Sequence, residues 1–339
     1  IPMADDDVVM PVVPMFHVNA WGLPYAATAG GAAQVFPGPQ PSPEDVARLI
    51  ESEAVTIAAG VPTVWIGLME YVEEAAVDLS ELETLVVGGS AAPEAMIRFF
   101  DDRGVSVLHA WGMTETAPIG TAAHLRADLQ DADYETRLHK RVKQGLVMPG
   151  LEFRVVDADG EEVAWNGEDF GELQIRGPWV TTEYFDRPGA TVAEFEDGYL
   201  KTGDVVTVDG DGYIEIVDRR KDIINSGGEW ISSLELENEI MAHESVHEAA
   251  VIAAPHERWQ ERPLALVVPA EDRDGDALVG AIREHVRDAY PEWWVPDNVV
   301  TIGAIPKTAT GKFDKRALRE EYSEQSLVEG RVPDDVTPE

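Results

Sequence analysis

Residues 84–115 read TLVVGGSAAPEAMIRFFDDRGVSVLHAWGMTE, and this stretch decides the fold. TLVV is a short apolar run closed by the pair Gly88–Gly89. PEAMIRFFDDRG reads as a helix closed by Gly104, and VSVLHA is a second apolar run. Strand, glycine turn, helix and strand in that order predict neighbouring parallel strands with a covering helix, the unit of an α/β layer. Open sheets of this kind gather ligands outside the carboxyl ends of their strands, where WGMTE (111–115) follows directly.

The rhythm extends upstream. VVMPVVPMF, AAQVFPG and VTIAAGVP alternate with the helical stretches PSPEDVARLIESEA and VPTVWIGLMEYVEEA, so residues 1–144 are expected to be part of one α/β sheet domain. From 145 the texture changes to LEFRVVDADGEEV, GELQIRGPWV and YLKTGDVVTVDGDGYIEIVD, short alternating runs joined by Asp-Gly pairs, which predict a small β subdomain over 145–220. SSLELENEIMAHESVHEAAVIAAP, LALVVP and DALVGAIREHVRDAY then give helix, strand, strand and helix. They predict a small α+β domain over 221–325 with a polar tail at 326–339, the boundary falling near 219–222.

Composition narrows the partners. The 339 residues carry 64 Asp plus Glu against 26 Lys plus Arg, a formal net charge of -38, which repels nucleic acid and anionic membranes. The acids are scattered over every segment, as expected of a surface adapted to the screening of a salt-rich, halophilic cytoplasm; an ordinary acidic enzyme is the alternative. The absence of cysteine excludes disulfides and thiolate chemistry and fits a cytoplasmic location. No apolar run approaches the roughly 18 residues of a membrane span. The first residue is Ile and no signal-like region follows it, so the chain is expected to be a piece of something longer. A homodimer is left open.

Three stretches imitate other sites. HESVH (243–247) matches H-E-x-x-H, but HEAAVIAAP reads as a strand, so its histidines are not expected to share a helical turn. DRDGDA (272–277) opens like a calcium loop yet has Ala277 and Arg283 where Gly and Glu are needed, while DADG (157–160) and DGDG (209–212) read as hairpin turns. TGK (310–312) lacks both the upstream glycine and the Ser or Thr of a phosphate loop.

Chemistry gathers elsewhere. Thr114 can donate to a phosphate oxygen, Glu115 can hold a divalent metal, and Trp111 offers a flat face; a capped strand end is the alternative. In YLKTGDVV (199–206) Asp204 is expected at a turn between strands, where its carboxylate can accept from two vicinal hydroxyls. DRRKDIINSGGEWISS (218–233) joins Arg219, whose fork suits oxygen atoms, to a glycine pair and a helix start marked by Ser232 and Ser233. PKTATGKFDK (306–315) holds three of the chain's seven lysines.

In this order PMFHVNAWGLPY (14–25), VVGGSAAP (86–93), WGMTE, GELQIRGPWV, KTGD, DRRKDIINSGGEWISS and PKTATGK resemble the adenylate-forming family of acyl-CoA synthetases, luciferases and adenylation domains, most of all its fatty-acyl-CoA synthetase branch. The resemblance spans nearly the whole chain. It implies the later part of a large α/β domain with a small β subdomain, followed by a mobile α+β domain. It also implies an AMP-forming ligase that takes a fatty acid, ATP with Mg2+, and coenzyme A. Lys312 would serve adenylation together with Thr114 and Glu115, the latter holding Mg2+ through ATP. Gly89, Ser90, Ala91, Trp111, Gly112, Asp204 and Arg219 would bind the nucleotide, Trp111 standing where the family usually has Tyr. His17 and Trp21 would line the acyl tunnel, Lys221 would be the hinge, and Gly228, Glu229 and Trp230 would face CoA. The family's phosphate loop, which should precede PMFHVNAW, is not in the sequence, so this chain alone is expected to adenylate weakly or not at all. Another carboxylate, aryl or methylthio-alkanoic, and a non-catalytic binding fragment are the competing readings.

Overall fold

The structure, a computed structural model, describes residues 3–227, 229–270, 275–308 and 313–322. The chain forms two compact units, Ile1–Thr202 with Val206–Ile216, and Gly203–Val205 with Val217–Glu339.

The first unit contains a seven-stranded sheet of β1 (Val8–Pro11), β2 (Ala33–Gln34), β3 (Ile57–Gly60), β4 (Thr84–Val87), β5 (Ser106–Trp111), β6 (Thr121–Ala122) and β7 (Leu146–Val147), in the order β2-β1-β3-β4-β5-β6-β7. The strands from β2 to β5 pair in parallel, and β6 and β7 turn antiparallel beyond them. Its helices are α1 (Val18–Trp21), α2 (Leu23–Gly30), α3 (Pro43–Ser52), α4 (Pro62–Glu74), α5 (Glu94–Asp101) and α6 (Tyr134–Arg141). Proline stands in the first turn of α2, α3 and α4, where its missing N–H costs nothing, and Ser42 closes a capping box with Asp45 ahead of α3.

Alternation along the strands divides the core. Met10, Leu85 and Val87 join Ile50 of α3, Trp65 and Leu68 of α4 and Phe100 of α5, whereas Val9, Ile57, Ala59 and Val86 join Leu23 and Ala27 of α2. Two apolar faces on one parallel sheet explain why its strands read as unbroken apolar runs. Full burial of such a side chain is worth about 1.5–3 kcal/mol.

The segment Val18–Trp21 is a left-handed turn, with φ from 48 to 55° at all four residues. Each L-residue held there costs about 1–2 kcal/mol, and neither the periodicity nor the composition of VNAW announces it.

The β subdomain expected from the Asp-Gly pairs is present. β8 (Glu152–Val156), β9 (Phe170–Arg176), β10 (Phe195–Glu196), β11 (Tyr199–Val208) and β12 (Ile214–Arg219) form a sheet in the order β10-β11-β9-β8 with β12 on β11, and α7 (Pro188–Glu194) lies between β9 and β10 in sequence. DADG and DGDG are hairpin turns. The Asp157 carboxylate accepts from the Asp159 and Glu161 amides, and Gly160 and Gly212 take φ values of 84 and 87°. A partly buried ion cluster ties α6 to the second of these hairpins: Lys140 Nζ lies 2.8 Å from Asp209 and 2.7 Å from Asp211, and Lys143 Nζ lies 3.2 Å from Asp209 and 3.1 Å from the exposed Glu215. Burial opposes ionisation of Asp209, but the two ammonium groups hold its carboxyl below the usual range.

The second unit carries β13 (Ile224–Ser226), β14 (Glu229–Ile231), α8 (Ser233–Ala242), β15 (Val246–His256), β16 (Gln260–Pro269), α9 (Gly275–Ala289), β17 (Asn298–Thr301) and α10 (Lys315–Tyr322). The sheet runs β14-β13-β16-β15, with β17 parallel on β16. Ala249, Val251, Ala265 and Val267 pack with Leu236 of α8 and Ile282 of α9, and the alternate residues Ala250, Ile252, Leu264 and Leu266 pack with Leu318 of α10. His243 caps the end of α8 and His247 already lies in β15, so HESVH has no helical turn on which to set two zinc ligands. DRDGDA lies partly outside the described residues. Among the described residues no helix is long and apolar enough to cross a membrane.

Candidate functional site

In the first unit the chain leaves β5 through Gly112 and Met113 into a single 3-10 turn, Thr114–Thr116. Thr116 is fully buried and locks this turn, its hydroxyl accepting from the Met113 amide at 2.9 Å and donating to the Pro118 carbonyl at 2.9 Å. Gly112 is required because a Cβ there would stand 1.7 Å from the Pro118 carbonyl oxygen. Thr114 is left exposed and Glu115 half-buried at the carboxyl end of the parallel sheet. The Glu115 carbonyl accepts from the Thr181 amide at 2.8 Å, and its carboxylate accepts from the Tyr184 hydroxyl at 2.9 Å. Burial first, and then this bond to a carboxylate, push the Tyr184 phenol up to about 12, so it stays a proton donor across the neutral range.

The glycine turn after β4 lies beside β5. Gly88 is buried under the Trp21 ring, where a Cβ would meet Trp21 Cη2 at 3.2 Å and the Ala110 carbonyl oxygen at 3.0 Å. Gly89 takes φ 83°, and Gly89, Ser90 and Ala91 are exposed. His109 of β5 is buried beneath them, its Nε2 3.3 Å from the Ser90 carbonyl and its Nδ1 2.9 Å from that of Val142. Burial pushes this imidazole below its ordinary range. His109 thus lies between the Ser90 loop and the end of α6, and in its neutral form it has one N–H to donate, to one of these two carbonyls. His17 is exposed, and Trp21 is half-buried at the end of the left-handed turn.

Trp111 departs from its expectation. Its indole is only 7% exposed, joins the β subdomain core with Leu173 and Ile175, and closes onto Gly120, where a Cβ would fall 2.3 Å from Cζ3. The bare Gly120 backbone lets the large apolar ring fold inward, so little of its face is open to a base.

In the second unit Arg219 Nε lies 2.7 Å from Asp204 Oδ1, with Asp204 fully buried and the Arg219 side chain 46% exposed. The expectation of a turn at Asp204 is corrected. It lies inside β11, and Gly203 with φ 71° puts a kink in the strand while its carbonyl accepts from the Arg220 amide at 2.9 Å. Lys221 is exposed on a tight turn in which the Asp222 and Ile223 amides donate back to the Arg219 carbonyl at 2.8 and 2.9 Å. Gly227 sits beneath Trp259, donating to its carbonyl at 2.7 Å; Glu229 is exposed and Trp230 half-buried in β14. Gly228 and Lys312 lie outside the described residues.

Behind this surface Glu237 is 3% exposed, 2.7 Å from Lys315 Nζ, and accepts from the Val251 amide at 2.7 Å. Burial, against the pull of Lys315, pushes its carboxyl from 4.5 up to about 7. A folded pKa above the unfolded one means the native state holds the extra proton. This contribution to stability is therefore complete below pH about 4.5 and is lost as pH rises through about 7, with a slope of up to about 1.4 kcal/mol per pH unit in between. Glu237→Gln should flatten that part of the stability profile, measured by urea unfolding from pH 5 to 8. An unchanged profile would show that Glu237 is ionised throughout.

Residues 1–185 match the family model described as AMP-binding enzyme, and residues 235–312 match that of the AMP-binding enzyme C-terminal domain. The chain belongs to the AMP-binding enzyme family. It is 47% identical to a long-chain-fatty-acid–CoA ligase of Thermus thermophilus, over 94% of this chain and 59% of that protein. It is also 46% identical to a 3-methylmercaptopropionyl-CoA ligase of Ruegeria lacuscaerulensis, over 94% and 58%. Among solved structures it resembles ATP-bound MatB from Rhodopseudomonas palustris, with TM-score 0.81 and 26% identity, covering 96% of this chain and 62% of that one. The chain thus spans about three fifths of the length of these relatives.

For this AMP-binding enzyme the structure brings Thr114 and Glu115 to one strand end, sets Trp21 over the glycine turn and pairs Asp204 with Arg219. Sequence reasoning missed Tyr184 and His109. A lone His inside the apolar run VSVLHA was the one available signal for His109; Tyr184 meets Glu115 from 69 positions away and left none.

Proposed function

We propose that the full protein is an AMP-forming fatty acid–CoA ligase. The carboxylate attacks the α-phosphorus of ATP to give acyl-adenylate and pyrophosphate, and the CoA thiol then attacks the acyl carbon, AMP leaving with the bonding electrons and the thiol losing its proton. The observation that carries this reading is the open end of β5, where Thr114 is free to donate and Glu115 is oriented by Tyr184 and Thr181. A carboxylate with one oxygen held by a phenol keeps hard oxygen lone pairs for Mg2+, which would neutralise the polyphosphate. Asp204 and Arg219 are assigned to the ribose, Gly89, Ser90, Ala91 and Gly112 to the adenylate, and Lys312 to the charge growing at the α-phosphorus. Lys221 is assigned as the pivot between half-reactions, with Gly228, Glu229 and Trp230 facing CoA. The uniform acid excess supports a salt-rich cytoplasm as the working environment.

Adenylation of 3-methylmercaptopropionate is a second reading, favoured by the Ruegeria relative. His17 and Trp21 are assigned to the acyl pocket, so the two readings differ in what passes the Trp21 ring. Pyrophosphate exchange on the full gene product, with straight-chain acids of graded length beside 3-methylmercaptopropionate, separates them. Faster exchange with the thioether acid than with any longer chain would overturn the fatty-acid assignment, and no exchange with any carboxylate would overturn both. Tyr184→Phe removes the hydrogen bond that orients Glu115, worth about 1.5 kcal/mol to a charged acceptor. It should raise the KM for MgATP roughly tenfold with little change in melting temperature, and an unchanged KM would remove Tyr184 from the site.

A further inference from the structure

We propose that Lys315 is a positioning residue for adenylation: through a buried polar chain of Asp218, Ser233 and Glu237 it fixes the start of α10, three positions after Lys312 in the sequence. This rests on the assignment of Lys312 made above. The chain is continuous within the second unit. The Asp218 carboxylate accepts from the Arg219 amide at 2.6 Å and, through its other oxygen, from the Ser233 amide and hydroxyl, both at 2.6 Å. The Ser233 hydroxyl, its proton committed to Asp218, accepts from Lys315 Nζ at 2.6 Å, and the same ammonium meets Glu237 at 2.7 Å. Asp218, Ser233 and Glu237 are 4%, 0% and 3% exposed and the Lys315 side chain 13%, so little solvent competes for these bonds.

Lys315 follows Lys312 by three positions, and the described residues on either side of 309–312 are pinned as well. Lys307 and Phe313 form an antiparallel bridge, the Asp314 amide donates to the Pro306 carbonyl at 2.8 Å, and the Asp314 carboxylate caps α10 through the Ala317 amide at 3.1 Å. At its other end the chain reaches Arg219, whose side chain pairs with Asp204. One frame thus holds the described residues on either side of Lys312, Lys307 and Phe313–Lys315, in register with the pair assigned to the ribose. Apolar residues of similar volume would pack this interior at least as stably as a buried ion pair, so the lysine's contribution is sought in register.

The test uses the full gene product with Lys315→Met, Lys315→Arg, Ser233→Ala and Lys312→Ala. Two half-reactions are followed, pyrophosphate exchange and thioester formation from a synthetic acyl-adenylate with CoA. Misplacement of a reacting group by about 1 Å costs on the order of 100-fold. Lys315→Met should therefore lower kcat for exchange about 10- to 100-fold, with the KM for ATP and the thioester rate within about twofold of wild type. Lys315→Arg should recover most of the loss, and Ser233→Ala should show a smaller loss with the same split. The proposal is overturned if Lys315→Met leaves exchange within about twofold, or if both half-reactions fall together in Lys315→Met and in the milder Ser233→Ala. If Lys312→Ala retains exchange, the assignment beneath it fails; if Lys312→Ala loses exchange and Lys315→Met does not, this inference alone fails.

Discussion

Lys312→Ala in the full gene product is expected to slow acyl-adenylate formation about 100- to 1,000-fold, the usual effect of removing one charge-stabilising group from a transition state. As the carboxylate attacks, negative charge accumulates on the oxygens around the α-phosphorus. A compact ammonium on a flexible stem meets that charge without demanding the fixed geometry of a guanidinium. The surroundings sharpen the expectation. Only 26 of the 339 residues are Lys or Arg, yet three lysines fall in PKTATGKFDK. Lys307 lies 2.6 Å from Glu248 and Lys315 2.7 Å from Glu237, while Lys312 lies outside the described residues. Lys312→Arg should restore little, because the charge returns on a different shape. Pyrophosphate exchange under saturating ATP measures the effect, and a variant with wild-type exchange would sink the assignment.

Gly112→Ala should be the most damaging single methyl addition at the site. The new Cβ would fall 1.7 Å from the Pro118 carbonyl oxygen and 2.8 Å from its carbon, backbone atoms that cannot rotate away. Neither side is free to move: Trp111 is packed against Gly120, and Thr116 bonds both Met113 and Pro118. Overpacking of this kind costs about 3 kcal/mol. The strain is delivered to the turn that presents Thr114 and Glu115, so loss of MgATP binding should accompany the fall in melting temperature. A variant that melts and binds as wild type would show that this turn has another conformation open to it.

Much of the architecture could be read in advance because local rules and tertiary packing agree there. The crossovers around TLVV and VSVLHA, the Asp-Gly hairpins and the Ser232 cap of α8 each follow from residues adjacent in sequence. What escaped reading depends on distant neighbours. Nothing in WGMTE says that Gly120 will draw the Trp111 ring into the core, and nothing near KTGD says that Asp204 will stay within a kinked strand, closed by Arg219. The left-handed turn at Val18–Trp21 runs against the preference of Val18, Ala20 and Trp21, and the one tolerant residue, Asn19, does not announce a run of four. The candidate site was legible as a set of motifs, but its supports were not: His109 under Ser90, Tyr184 on Glu115 and the polar chain behind Lys315 join positions 15 to 82 apart.

The cluster of Lys140 and Lys143 with Asp209, Asp211 and Glu215 sorts the charges of the first unit into two populations. Unpaired surface acids repel one another across water, and added salt relieves them over a Debye length of about 10 Å at 0.1 M. The Lys143 ammonium, 4% exposed between Asp209 and Glu215, lies largely beyond the reach of mobile ions. Dilution therefore loads the periphery of this unit and leaves the seam between α6 and the β11–β12 hairpin almost untouched. As ionic strength falls, denaturation should begin at the exterior, with the amides around Tyr213 among the last to exchange.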